Sequence, residues 1–148
     1  MPENEKDPLE REDALRELNR SLELEARATL AYAVAAGSVT GMEVQHLREE
    51  LYHFAERELE DTRRLVEKIV ALGGEPSTNV AAVSFNADAR RAVEKLIAND
   101  EETLEALVEV IPHTGSEAEG EALEHLVEHL LLRKQEQIDF LRRALGSR

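Results

Sequence analysis

The chain has 148 residues, 42% of them hydrophobic and only 3% aromatic, with 18 Lys and Arg against 32 Asp and Glu, a formal net charge of -14 and no cysteine. That length sets one domain with its own core, and a chain rich in Ala, Leu, Glu and Arg but poor in aromatics points to an all-α fold. The negative field repels phosphate backbones and anionic membranes, which excludes nucleic acid as a partner, and the lack of cysteine excludes disulfides, thiolate metal sites and cysteine nucleophiles.

The N-terminal string MPENEKDPLERED lacks a signal peptide's apolar core, and no apolar stretch approaches membrane-spanning length, so a cytoplasmic protein without membrane contact is expected. Asp7-Pro8-Leu9-Glu10 reads as an N-cap with proline at the first helical position, predicting a helix over 8–36. Thr40-Gly41-Met42-Glu43 is a capping box that predicts a second helix over 41–72, stopped by Gly73-Gly74 and Pro76. Asn86 caps a third over 87–111, ending before Pro112, and the capping box Ser116-Glu117-Ala118-Glu119 opens a fourth over 117–145.

The first and third connections are short and force antiparallel neighbours. The segment from Gly73 to Phe85 has no helical period and spans roughly 40 Å if extended at ~3.3 Å per residue, enough to carry the chain back along a bundle. Helices two and three can then run parallel. The predicted fold is a single domain over 1–148, a four-helix bundle with a long crossover between helices two and three.

Steps of three and four residues give each helix an apolar stripe, and every stripe is broken near its middle. The breaks fall at Glu25 in the first helix, Glu58 and Asp61 in the second, Asp100 with Glu101 beside it in the third, and Lys134 and Gln137 in the fourth. The third stripe is read as Val93, Leu96, Ile97, Asp100, Leu104, Val108 and Ile111. An ionisable group facing a bundle interior is costly unless paired or bound to metal, so four coincident breaks suggest one shared site. The known template for such a site is a glutamate from each of two helices and Glu-x-x-His from each of the other two.

The strings LNRSLELEARATLAY and LYHFAERELEDTRRLVEKIVALGGEP resemble the first half of bacterioferritin without a gap from Leu18 to Pro76, and RKQEQIDFLRRAL resembles its fourth-helix segment. The Leu-Gly-Gly-x-Pro ending is also similar to that of Dps-type ferritins. The resemblance implies a ferritin-like fold with Glu25 as first-helix ligand, Glu58 as bridging glutamate and Tyr32 close to the metal pair. It aligns the third-helix ligand with Glu101 when the connection between helices three and four is ungapped, or near Leu104 when the Asp100 neighbourhood is aligned instead. Asp61 and Gln137 stand where the family has its two histidines, and Lys134 where it has the second bridging glutamate. Leu59 stands at the family's haem methionine, so no haem is expected.

Two readings of the seam follow. Glu25, Glu58, Asp61 and Glu101 could hold one divalent ion, Fe, Mn or Zn, with Tyr32, Asp100, Lys134 and Gln137 around it, for storage or sequestration. Alternatively the seam is metal-free and Lys134 replaces the metal charge in a scaffold or partner subunit. Altered Glu-x-x-His motifs argue against ferroxidase chemistry, and more strongly against a rubrerythrin-like oxidase or peroxidase, which wants both metals and an imidazole. His46, Glu50 and His53, and separately His125 and His129, share helix faces at metal-ligand spacing, a weak signal because most such pairs are ordinary residues of a solvated face. A homodimer or larger homo-oligomer is expected, with co-assembly with an active ferritin homologue as the alternative.

Overall fold

A computed structural model of the protein describes residues 7–42 and 44–146. Four α-helices make up the fold: α1 (Arg11–Ser38), α2 (Leu47–Ala71), α3 (Ala89–Val108) and α4 (Ala118–Ala144), with one 3₁₀ turn at Ile111–His113. No strand occurs among the described residues.

The two hydrophobic cores fix the directions of the helices. One core gathers the end of α1 (Ala28, Tyr32, Ala36), the start of α2 (Leu47, Leu51, Phe54), the start of α3 (Val93, Leu96, Ile97) and the end of α4 (Ile138, Leu141). The other gathers the opposite ends: Ala14, Leu18 and Leu22 with Leu65 and Ile69, Leu107, and Leu123, Val127 and Leu130. Helices α1 and α4 therefore run one way, and α2 and α3 the other. Residues 73–88 make the parallel α2–α3 connection by crossing along α1. Asn19 donates to the Glu75 carbonyl at 3.1 Å and accepts from the Ser77 amide at 2.8 Å, and one turn further the Ser77 hydroxyl donates to Glu23 at 2.7 Å. This is the ferritin-like bundle that the loop lengths imply.

The helix starts differ from those read off the sequence. Asp7 and Pro8 do not open α1, which begins at Arg11. Instead the Asp7 amide donates to Ser116 Oγ at 2.9 Å and the Ser116 amide to the Asp7 carbonyl at 2.9 Å, joining the N-terminal segment to the turn before α4. That pairing occupies Ser116, so α4 starts at Ala118 with Glu117 as N-cap. Helix α2 starts at Leu47, six residues after the expected 41. Gly41 takes a left-handed φ of 107° and its carbonyl accepts from the amides of Val44 and Gln45 in a turn that precedes the helix. Glu43 of the expected capping box lies outside the described residues. Asn86 accepts from the Asp88 amide at 3.0 Å, a local turn that delays α3 to Ala89. Helix α3 ends at Val108 because Pro112 has no N–H to return to that carbonyl.

Within α3 the buried stripe runs Val93, Leu96, Ile97, Asp100, Thr103 and Leu107, and Val108 is exposed. Successive steps of four advance each residue ~40° round a helix of 3.6 residues per turn, so a stripe read as 100, 104, 108 drifts off the core.

The turn between α3 and α4 closes on two glycines. A Cβ at Gly115, where φ is +68°, would lie 2.5 Å from the Pro8 carbonyl oxygen, and one at Gly120 would lie 1.7 Å from that of Thr114. Replacing Gly120 with Ala is expected to lower unfolding stability by about 3 kcal/mol. Gly37→Ala, in a helical position where no atom lies within 4 Å of the new methyl, should instead raise it by about 0.5 kcal/mol. Urea unfolding followed by circular dichroism measures both.

Candidate metal centre

Between the two cores lies a layer of polar side chains, each placed by the same helical register that aims its apolar neighbours inward. Glu25, Glu58, Lys134 and Gln137 are fully buried or nearly so, as are Asp61, Asp100 and Tyr32. The Tyr32 ring packs edge-on against Phe54 with centroids 5.5 Å apart, and Phe54 in turn against Phe140 at 5.4 Å, which seats the phenol over the layer.

The Lys134 ammonium is the hub. It pairs with Glu25 Oε1 at 3.1 Å, with Glu58 Oε1 in closer contact, and with Asp100 Oδ1 at 3.7 Å. Gln137 Nε2 donates to Glu58 Oε1 at 2.6 Å and sits 3.5 Å from the Tyr32 hydroxyl, which itself donates to Asp100 Oδ2. Asp61 has a partner of its own, Arg133, whose Nε lies 3.0 Å from Oδ1 and 3.3 Å from Oδ2.

The sequence reading missed Arg133. Its signal was adjacency: it precedes Lys134 on α4, about 100° round the helix, where a second inward carboxylate needs a counter-charge.

Ionised, Glu25, Glu58, Asp61 and Asp100 carry four negative charges against the two positive charges of Lys134 and Arg133. Burial, reinforced by the Glu58 charge and only partly offset by Lys134, pushes Glu25 well above the usual carboxylate range. Burial also raises Asp100, against the pull of Lys134, to about 6. Burial and Glu58 raise Asp61 despite Arg133. Glu58 alone moves down: burial opposes ionisation there, but the Lys134 charge and hydrogen bonds from Glu25, Lys134 and Gln137 outweigh it. Lys134 is lifted above its ordinary value because three carboxylates outweigh its own desolvation. Burial and the Asp100 charge keep Tyr32 a neutral phenol.

Glu25, Glu58 and Asp61 each bring one carboxylate oxygen within 4.8 Å of the others, all three residues buried. No N–H or ordinary hydroxyl among the described residues reaches Glu25 Oε2 or Glu58 Oε2. A buried all-oxygen set, with one oxygen each of Glu25 and Glu58 reached by no N–H, suits a hard divalent cation.

Glu101, expected as a ligand, is not one. It points outward with its side chain 49% exposed and pairs with Arg142 at 3.3 Å, because the neighbouring Asp100 takes the inward position on α3. His46, Glu50, His53, His125 and His129 lie at or near the surface and gather no three-ligand group among the described residues. A group the sequence did not suggest, Glu10, Asp13 and His113, meets at one end of the bundle. There the Glu10 carboxylate accepts from His113 Nδ1 at 2.8 Å and the Glu10 amide donates to the His113 carbonyl at 2.9 Å, while Asp13 pairs with Arg16. These contacts fasten the start of α1 to the 3₁₀ turn.

A sequence profile of the ferritin-like domain matches residues 15–147. The chain belongs to that family. Its fold is shared with a crystal structure described as "ferritin like, diiron-carboxylate proteins" from Bacillus anthracis str. Ames. The two are 24% identical, with a TM-score of 0.85 over 92% of this chain and 97% of that one. No curated protein matches. Among the described residues of this ferritin-like chain, no helix is long and apolar enough to cross a membrane.

Two outcomes follow from the layer's electrostatics. Lys134→Met, which strands the buried carboxylates, is expected to cost about 3 kcal/mol at neutral pH and less at pH 4, where they take up protons. The folded chain holds the Asp100 proton to about pH 6, whereas an unfolded aspartate releases it near 3.8. The contribution of Asp100 is therefore greatest below that lower value and is lost as pH rises to about 6. Urea unfolding across this range should show wild-type stability falling relative to Asp100→Asn.

Proposed function

We propose that this ferritin-like chain holds one divalent metal ion, of the iron or manganese kind, on Glu25, Glu58 and Asp61, and sequesters it without forming a two-metal centre. The observation that carries the reading is the convergence of three buried carboxylates, two of whose oxygens no N–H reaches. Charge supports it as well. Four carboxylates face two fixed cations, and one divalent ion supplies the two positive charges that are lacking. When bound, such an ion would supply a redox-active or Lewis-acidic centre with oxygen ligands.

A pair of iron ions does not fit these residues. In the bacterioferritin-like alignment the second half of the centre calls for a bridging glutamate and a histidine, and Lys134 and Gln137 stand there. The Lys134 ammonium occupies the charge position that a second cation would need, in contact with Glu25, Glu58 and Asp100. Replacing a bridging carboxylate with an ammonium turns attraction for a metal into repulsion. Paired-iron oxidation is therefore not assigned to this chain.

One observation favours a second reading, a metal-free scaffold or partner subunit. Glu25 and Asp100 are both pushed toward their protonated forms, and with two protons in place, Glu58 and Asp61 balance Lys134 and Arg133 without any ion.

Titration of metal-depleted protein with Mn²⁺, Fe²⁺ and Zn²⁺, by calorimetry and elemental analysis, separates the two readings. The single-ion reading expects one ion per chain, lost in Glu58→Ala, and a second ion only in Lys134→Glu. Less than about a tenth of an ion per chain at saturating metal, with Glu58→Ala no different from wild type, would leave the scaffold reading standing alone.

A further inference from the structure

A groove of about 460 Å³ opens between α1 and α3, away from the polar layer and roofed at one end by the crossover. Val34 and Ala35 on α1, Lys95, Leu96 and Asn99 on α3, and Phe85 of the crossover line it. The space exists because α1 presents small side chains at Ala31, Ala35 and Ser38, one face of the helix at steps of four and three. Its volume lies in the range of sites for small organic ligands, roughly 300–1,000 Å³.

Asn99 identifies the chemistry. The residue is 5% exposed. Its backbone carbonyl accepts from Arg27 and Thr103, yet its side-chain amide has no hydrogen-bond partner among the described residues and faces the groove. The amide is not among the fully buried unpartnered groups, so it meets solvent at the groove and its donors are free for a polar ligand that enters there. Lys95 lies one helical turn before Asn99 on the same face of α3, exposed and without a carboxylate at ion-pair distance among the described residues. The other charges at the rim are engaged: Glu94 pairs with Arg90 at 3.4 Å and Arg91 with Asp88 at 3.7 Å. A free ammonium beside an unused amide is an anion-receiving pair in a chain whose net charge of -14 repels anions elsewhere. The remaining walls are mainly apolar, with Ser38, Ser84 and Asn86 among them, and open to solvent, with Phe85 66% and Val34 40% exposed.

We infer that this groove binds a small amphiphilic monocarboxylate, its head group accepting from the Asn99 amide and the Lys95 ammonium and its apolar body lying against Val34, Leu96 and Phe85. The carboxylate's two oxygens serve the two donors, one each. The apolar body covers surface that the fold leaves exposed. The site is separate from the polar layer and does not depend on whether that layer takes a metal.

Octanoate is the probe, titrated into the full chain by calorimetry at low salt. An eight-carbon acid in an open groove should bind one per chain with Kd on the order of 1 mM. Octylamine, with the same chain length and the opposite head charge, should not saturate. Asn99→Leu should weaken octanoate about tenfold, and Lys95→Glu at least as much. Val34→Trp, which fills the groove from its exposed wall, should abolish binding while the helical circular dichroism signal stays intact. Three results overturn the inference: no saturation by octanoate, equal binding of octylamine, or Asn99→Leu and Lys95→Glu at wild-type affinity. A fourth is Val34→Trp dissociating an oligomer while octanoate binding persists, which would make the groove a seam between copies of the chain.

Discussion

The Lys134 ammonium, buried among Glu25, Glu58 and Asp100, is the interaction around which the rest of this bundle is arranged. Three carboxylates brought together out of water cannot all ionise without a cation among them. Once the lysine is there, the acids on α1, α2 and α3 each acquire a reason to face inward, and one residue of α4 ties the four helices into a single unit. Gln137, one turn further along α4, completes the hub by donating to the same Glu58 oxygen and approaching the Tyr32 hydroxyl. Arg133 does for Asp61 what Lys134 does for the others.

This layer divides the apolar interior into two cores, and the topology follows from keeping both closed. Helices α2 and α3 must run parallel for the layer's members to meet at one height, which requires the crossover along α1. The opposite end of the bundle is fastened by backbone approaches so close that Gly115 and Gly120 cannot carry a side chain. Stability and site geometry are thus coupled through helix register. A rotation of α3 by one residue would bring Glu101 inward in place of Asp100 and leave Lys134 and Tyr32 without their shared partner.

The sequence disclosed the architecture and most of the layer because both rest on local periodicity. Polar residues at Glu25, Glu58, Asp61, Lys134 and Gln137 interrupt apolar stripes that a 3.6-residue period reveals directly. It failed where tertiary contacts override local signals. Ser116 has the chemistry of an N-cap but is taken by the Asp7 backbone, and Gly41 of the expected box lies on a turn before α2 rather than on its first turn. In α3, adjacent acids made register decisive, and the ungapped alignment placed the ligand on Glu101, one residue away from the inward Asp100. Arg133 escaped because a partly exposed arginine next to an inward lysine looks like ordinary surface until Asp61 is seen behind it. The Asn99 groove was invisible in sequence, since it depends on the space that small α1 residues leave beside α3.

Belonging to the ferritin-like family sets the frame in which these substitutions acquire meaning, but the residues themselves decide the chemistry. A side-chain cation in contact with two of three converging carboxylates, and not with the third, makes the layer asymmetric. The most direct test of this account is a crystal structure of the chain soaked in Mn²⁺, with data collected at the manganese absorption edge. The account expects one anomalous peak per chain, among Glu25, Glu58 and Asp61, with Lys134 Nζ still against Glu25 and Glu58. Two peaks bridged by those glutamates, with Lys134 swung out of the layer, would contradict it.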